Sequence, residues 1–199
     1  MNIIFYYDYI CPFCFIGTKR ISRLIKEYDL NVEWRGIEIH PEYSVEGKKR
    51  KKTARLDHII QTLNDIAKED NTEIELPGFV TNTRLPLESA EYAKTEGKFI
   101  DFHNALYEAY FKNRINIGLL DNLTEIAQAV GLNMDSYLDS INERKFKKAI
   151  DSNKAIANEN LVLGVPTIYF NELRIHGVQS ADAYKSIIEK ELLNNKIIH

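Results

Sequence analysis

The chain has 199 residues, 44% of them hydrophobic and 28% charged, which is enough to bury a sizeable core as one domain or two small ones. Its formal net charge of -3 argues against a general nucleic-acid binder, which carries a basic excess. No apolar stretch approaches the length that spans a bilayer, so neither nucleic acid nor membrane is an expected partner.

The first element, Ile3-Ile4-Phe5-Tyr6-Tyr7, has the β-branched and aromatic character of a buried strand. It leads into Cys11-Pro12-Phe13-Cys14, which holds the only two cysteines, and Ile21, Leu24, Ile25 and Tyr28 then follow at helical spacing. Pro12 suits the first turn of that helix because its missing N–H has no intrahelical partner there. Cys11 becomes the boundary residue, its sulfur beside free backbone N–H groups that favour a thiolate. Asp8 reads first as a turn-forming carboxylate at the strand end and second as a proton acceptor for Cys14. The leading residues lack a basic segment, contain Asp8 and run straight into the cysteine pair, so a cleaved signal peptide is not expected in them. A cytoplasmic location is expected, and there thiols are held reduced.

Residues 31–39 alternate apolar and polar side chains, with Val32, Trp34, Ile37 and Ile39 on one pattern and an irregularity near Gly36. They predict a second strand ended by Pro41, parallel to the first across the intervening helix. Lys48-Lys49-Arg50-Lys51-Lys52 reads as a solvated loop and a candidate for local disorder, with docking of an acidic partner as the alternative. From about 54 to 162 the periodicity is helical, punctuated by Pro77-Gly78, Gly97, Gly118 and Gly131. Thr83 or Asn82 can cap a helix with Pro86 in its first turn and Leu85, Ser89, Tyr92 and Ala93 on one face. Phe99, Phe102, His103, Leu106, Tyr107 and Tyr110 form a second face, read as core packing. Leu120, Leu123, Ile126, Ala127 and Val130 precede Gly131, and Phe146, Ala149, Ile150, Asn153 and Ala157 mark a last long helix. Residues 165–170 and 173–176 predict an antiparallel hairpin around Asn171-Glu172, and Ser180 can cap a closing helix with Tyr184, Ile187, Ile188 and Leu192 inward.

Four uses compete for the cysteine pair. A structural disulfide across so short a loop would contribute only about 2 kcal/mol. A zinc site needs a second ligand pair, and His40, His58, His103, His176 and His199 include none at metal-binding spacing. Two inert buried thiols would leave Pro12 at a strand-to-helix junction a coincidence. Redox chemistry is the reading the pattern favours. His40 and His176 read as surface or hydrogen-bonded side chains, and Asn82 and Arg84 as caps or surface positions before ligand contacts.

The order strand, Cys-Pro-X-Cys, helix, strand, then a late Val-Pro unit resembles the thioredoxin fold. More closely, the chain resembles DsbA-like disulfide oxidoreductases of the FrnE type. The similarity rests on the run Asp8 to Gly17, the run Val32 to Glu42, Asn82-Thr83-Arg84-Leu85, Tyr110-Phe111 and Gly164-Val165-Pro166-Thr167. Family members commonly carry Trp where Phe13 stands and often Tyr where Phe15 stands; the first difference bears on the redox potential, which the two intervening residues tune.

The resemblance implies an α/β thioredoxin-like domain of residues 1–42 and 155–199, with an all-helical insertion over 43–154 after the second strand. It implies a thiol-disulfide oxidoreductase in which Cys11 is the exposed attacking thiolate and Cys14 resolves the mixed disulfide. Pro12, Phe13, Val165 and Pro166 would contact substrate, with Val165-Pro166 cis. Cofactor and metal are not expected; the redox-active disulfide does the chemistry, on protein or small-molecule thiols and disulfides, with glutathione or another low-molecular-weight thiol as an optional co-substrate. The alternative is a glutathione-linked transferase or isomerase of the kappa or hydroxychromene-carboxylate isomerase type, relatives that generally carry Ser where Cys11 stands. A redox-sensing or chaperone-like binding module using the helical insertion is a third.

Overall fold

The computed structural model describes residues 1–197. Five residues of the apolar opening run form β1 (Ile3–Tyr7), and α1 (Pro12–Tyr28) starts at Pro12 and ends where Asp29 takes a left-handed conformation, φ 50°. Then β2 (Val32–Gly36) lies parallel to β1, with Ile3 opposite Val32 and Tyr7 opposite Gly36. Late in the chain β5 (Thr167–Phe170) pairs antiparallel to β1, and β6 (Leu173–His176) folds back on β5 through Asn171, φ 52°. The sheet order is β2-β1-β5-β6, which places β1, carrying the cysteine turn, in the interior.

Between β2 and β5 the chain adds β3 (Lys48–Lys49), α2 (Ala54–Glu69), β4 (Phe79–Val80), α3 (Arg84–Thr95), α4 (Phe99–Phe111), α5 (Leu120–Ala129), α6 (Met134–Asn142) and α7 (Lys147–Glu159). The closing helix α8 is Ala181–Ile197, and Ser180 Oγ accepts from Ala183 N at 3.2 Å as its cap. The position expected to divide the insertion from the resumed thioredoxin-like part, 154/155, lies inside α7. Among the described residues, no helix is long and apolar enough to cross a membrane.

Sheet and helices share one apolar cluster. Phe5 stacks on Trp34 (4.9 Å between ring centres), and the cluster continues through Phe102, Leu106 and Tyr107 of α4 to Tyr137 of α6. His103 is fully buried within it, 4.6–5.0 Å from the rings of Tyr7, Trp34, Phe99 and Tyr107. Its Nδ1 lies 2.9 Å from Tyr9 Oη and its Nε2 3.2 Å from Thr18 Oγ1. Burial holds the imidazole well below its usual range, so the neutral ring, with one donor and one acceptor nitrogen, satisfies both neighbours.

Two expectations need correction. The second strand stops at Gly36 rather than running to Ile39, because its partner β1 ends at Tyr7; Ile37 N makes the last bond, to Tyr7 O at 2.9 Å, and Ile39 N turns to a side chain instead. The basic run is not a disordered loop. Lys48 and Lys49 pair with Val80 and Phe79, and Arg50 donates to Pro77 O (3.1 Å) and Phe79 O (3.4 Å), which fixes the run at its centre.

Candidate active site

The turn between β1 and α1 is built by Asp8. Its backbone carbonyl accepts from Cys11 N at 3.2 Å, and its Oδ1 accepts from Ile10 N at 3.3 Å, the local bond expected of a turn-forming carboxylate. Cys11 occupies the N-cap position of α1 with extended backbone, φ -89° and ψ 111°, and no side chain caps the helix. Cys14 N and Phe15 N both donate to Cys11 O, at 3.1 and 3.3 Å. The Cys11 sulfur therefore sits at the N-terminal end of α1, with Cys14 one turn inside the helix.

Across the sheet, the Val165-Pro166 peptide bond is cis, and Cys11 Sγ donates to Val165 O at 3.4 Å. Pro166 O in turn accepts from Gly177 N at 2.8 Å, and Thr167 Oγ1 donates to Gly164 O at 2.7 Å, so the loop entering β5 is held from both sides. Pro12 is the first residue of α1. Phe13 is half-buried against Ile16, Leu63 and Ala67, and Val165 is half-buried beside Pro166. The cysteine turn and the loop entering β5 thus meet at the Cys11 sulfur, although 154 positions separate Cys11 from Val165.

Exposure departs from the expectation for Cys11. The residue is only 6% exposed rather than open, since Val165 lies over its sulfur, while Cys14 is wholly buried. Burial pushes the Cys14 thiol well above its usual range, helped by the hydrogen bond to Cys11 and the Cys11 charge. Both cysteines are free thiols.

Asp8 does more than shape the turn. Its side chain is fully buried, and Oδ2 accepts from Ile39 N at 2.8 Å, anchoring the chain where it leaves β2. Burial raises its carboxyl to about 6, against the pull of the Ile39, Thr83 and Ile10 hydrogen bonds. Its charge is in turn among the influences that disfavour the Cys14 thiolate. Ile39 and Thr83, read from the sequence as a strand position and a helix cap, support the site through Asp8 instead. The contact of Thr83 with Asp8 has no local signal, because it depends on how the insertion folds back.

Asn82 and Arg84 serve this scaffold. Asn82 Oδ1 accepts from Arg84 N at 2.9 Å at the start of α3, and Arg84 bridges buried Glu38 (2.5 Å) and Asp151 (2.7 Å). His40 stacks on Tyr43 and lies 2.9 Å from Glu42; His176 Nδ1 is 3.2 Å from Thr167 Oγ1. The arrangement provides a sulfur nucleophile at a helix N-terminus, a second sulfur one turn inside it, a buried carboxyl that titrates near neutrality and a backbone carbonyl beside the outer sulfur.

The profile of the DSBA-like thioredoxin domain matches residues 2–189. Protein YwbO of Bacillus subtilis (strain 168) is 27% identical over 194 residues, covering 96% of this chain and 97% of its own length. A solved 2-hydroxychromene-2-carboxylate isomerase superposes with a TM-score of 0.82 at 20% identity, with both chains fully covered. The cytosolic disulfide reductase DsbM from Pseudomonas aeruginosa, solved with GSH, gives a TM-score of 0.73 at 15% identity over 96% of this chain and 99% of its own.

Proposed function

Since the chain belongs to the DsbA-like thioredoxin domain family, we propose that it is a thiol-disulfide oxidoreductase working through Cys11 and Cys14 in the cytoplasm. The observation that carries this reading is the Cys11 sulfur, at the N-terminus of α1 and 3.4 Å from Val165 O, with Cys14 one turn behind it. In the reductive direction the Cys11 thiolate attacks one sulfur of a substrate disulfide. A Cys11–substrate S–S bond forms, and the second substrate sulfur leaves as a thiolate. Cys14 then attacks Cys11, the mixed disulfide breaks, and the pair ends oxidised by two electrons while the substrate disulfide is reduced. Oxidation of a dithiol substrate is the same sequence reversed, and direction follows the gap between the site's potential and the compartment's.

Burial works against ionising Cys14, so the second step needs a proton acceptor inside the site. Asp8 fills that role, since a carboxyl raised to about 6 is deprotonated at neutral pH yet a stronger base than an exposed one. Val165, Pro166, Pro12 and Phe13 form the surface met by the substrate, and Val165 O accepts a hydrogen bond from its backbone once the Cys11 thiol proton has left. No further cofactor is required, and a low-molecular-weight thiol such as glutathione serves as co-substrate to reset the pair. Insulin reduction tests the proposal: the wild type should catalyse it and Cys11→Ser should not.

The full-length similarity to 2-hydroxychromene-2-carboxylate isomerase supports a second reading, a glutathione-linked isomerase or transferase. Such an activity needs no resolving thiol, so glutathione-dependent turnover that survives Cys14→Ser would favour it over disulfide exchange.

A further inference from the structure

One helix face near the N-terminal end of α1 is only partly covered. Along α2 the apolar residues Leu56, Ile59, Ile60, Leu63, Ile66 and Ala67 recur at helical spacing and form a single stripe. Its C-terminal half is seated: Leu63 and Ala67 cluster with Ile16, and Arg20 donates to Ile66 O, Glu69 and Asp70. Later residues of α2 meet later residues of α1, so the two helices run parallel. At 1.5 Å per residue, the part of α2 ahead of Leu63 extends about 13 Å toward and past the α1 N-terminus, where Cys11 and Phe13 lie. In that half Leu56 and Ile59 are half-buried, Ile60 is 36% exposed, and none of the three packs on the cores that hold Leu63 and Ala67.

The same end of α2 is strongly basic. Lys48, Lys49, Lys51, Lys52 and Arg55 are exposed, Arg50 spends its guanidinium on backbone carbonyls, and among the described residues none of the six forms an ion pair. Asp57 is the one acid within this run and the first turn of α2. The helix N-terminus adds its own positive end to the patch. On a chain of net charge -3, such a concentration of unpaired cations beside a partly covered apolar stripe selects for an occupant that is both apolar and anionic.

We propose that the N-terminal half of α2 and the 48–55 basic run dock a protein substrate whose reacting cysteine is flanked by aliphatic side chains and carboxylates. This inference rests on the disulfide-exchange reading and names the substrate class for the same site. The aliphatic side chains lie on Leu56, Ile59 and Ile60, the carboxylates meet the lysines, and the substrate sulfur is delivered to Cys11. Attack by Cys11 then proceeds with the same bonds formed and broken as for any disulfide.

Two measurements separate docking from chemistry. Fluorescence anisotropy with labelled peptides, carrying Ser in place of Cys, reports docking alone; the probes are a Leu/Glu peptide, a Leu/Lys peptide and a Ser/Glu peptide of equal length. Quenched-flow rates with the corresponding Cys peptides, blocked as mixed disulfides with 2-mercaptoethanol, report exchange, with 2-hydroxyethyl disulfide as the neutral control. The Leu/Glu peptide should bind and react about tenfold better than the Leu/Lys peptide at low salt, an advantage that fades near 1 M salt. Replacing Lys48, Lys49, Lys51 and Lys52 by Gln should erase that advantage while leaving the control rate unchanged. Ile60→Gln should weaken the Leu/Glu peptide about fourfold and leave the Ser/Glu peptide unaffected. Equal binding of the three peptides, or a preference that survives the four lysine substitutions, overturns the docking proposal. Selective binding without reduction of any disulfide, the control included, overturns the exchange reading and leaves the docking surface standing.

Discussion

Replacing Asp8 by Asn should change how stability depends on pH. The carboxyl is fully buried and raised from 3.8 to about 6, so its charged form is the costly one in the folded state. A carboxyl raised in this way stabilises the fold fully below about pH 3.8, progressively less as pH rises through 6, and not at all above. The whole gap corresponds to about 3 kcal/mol, of which about 2.5 kcal/mol falls between pH 4 and 7.5. Asn removes the titration but keeps one acceptor, which will take the 2.8 Å bond from Ile39 N and abandon the longer one from Ile10 N, a loss of about 1 kcal/mol. The variant should therefore be slightly less stable than wild type at pH 4 and about 1–2 kcal/mol more stable at pH 7.5. Urea unfolding of both proteins, fully reduced, across that range measures the difference directly. A difference constant to within about 0.5 kcal/mol from pH 4 to 7.5 would show that Asp8 is not a buried charge, and the same variant should resolve its mixed disulfides more slowly at pH 7.

Other substitutions probe the scaffold around the site. Gly118→Ala should cost about 1–3 kcal/mol in urea unfolding, because a Cβ there meets Thr81 Oγ1 and lies 2.9 and 3.0 Å from the carbonyls of Val45 and Asn82, next to the segment that holds Asp8. Wild-type stability in that assay would mean the 81–83 segment yields freely. Arg144→Ala strips the two bonds, 2.8 and 2.6 Å, that satisfy the buried Glu88 carboxylate. It should lower stability by about 2 kcal/mol, and Glu88→Gln in the same background should recover part of the loss.

Much of this architecture is written in local patterns. The run Ile3 to Tyr7, the helix after Pro12 and the hairpin around Asn171-Glu172 each carry their own periodicity and turn chemistry, and each forms where the sequence places it. His103 could be assigned to the core from the stripe it shares with Phe102 and Tyr107. What stayed hidden depends on remote partners. The end of β2 is set by the length of β1, and the β3–β4 pairing is two residues long and wholly lysine on one side, too short for any alternation to show. Asp8 was legible as a turn residue, since its bond to Ile10 N is local; its burial and its bond to Ile39 N require the chain to return from β2. Burial of Cys11 has no local signal, because Val165, which covers it, belongs to a loop more than 150 positions away.

The division of labour between the two sulfurs is the centre of the account, and trapping tests it most directly. Cys14→Ser protein mixed with a disulfide-linked model peptide should accumulate a stable covalent adduct, which peptide mapping places on Cys11, while Cys11→Ser should accumulate none. An adduct on Cys14 in the Cys11→Ser protein, or no adduct in either protein under conditions where the wild type reduces the same peptide, would contradict it.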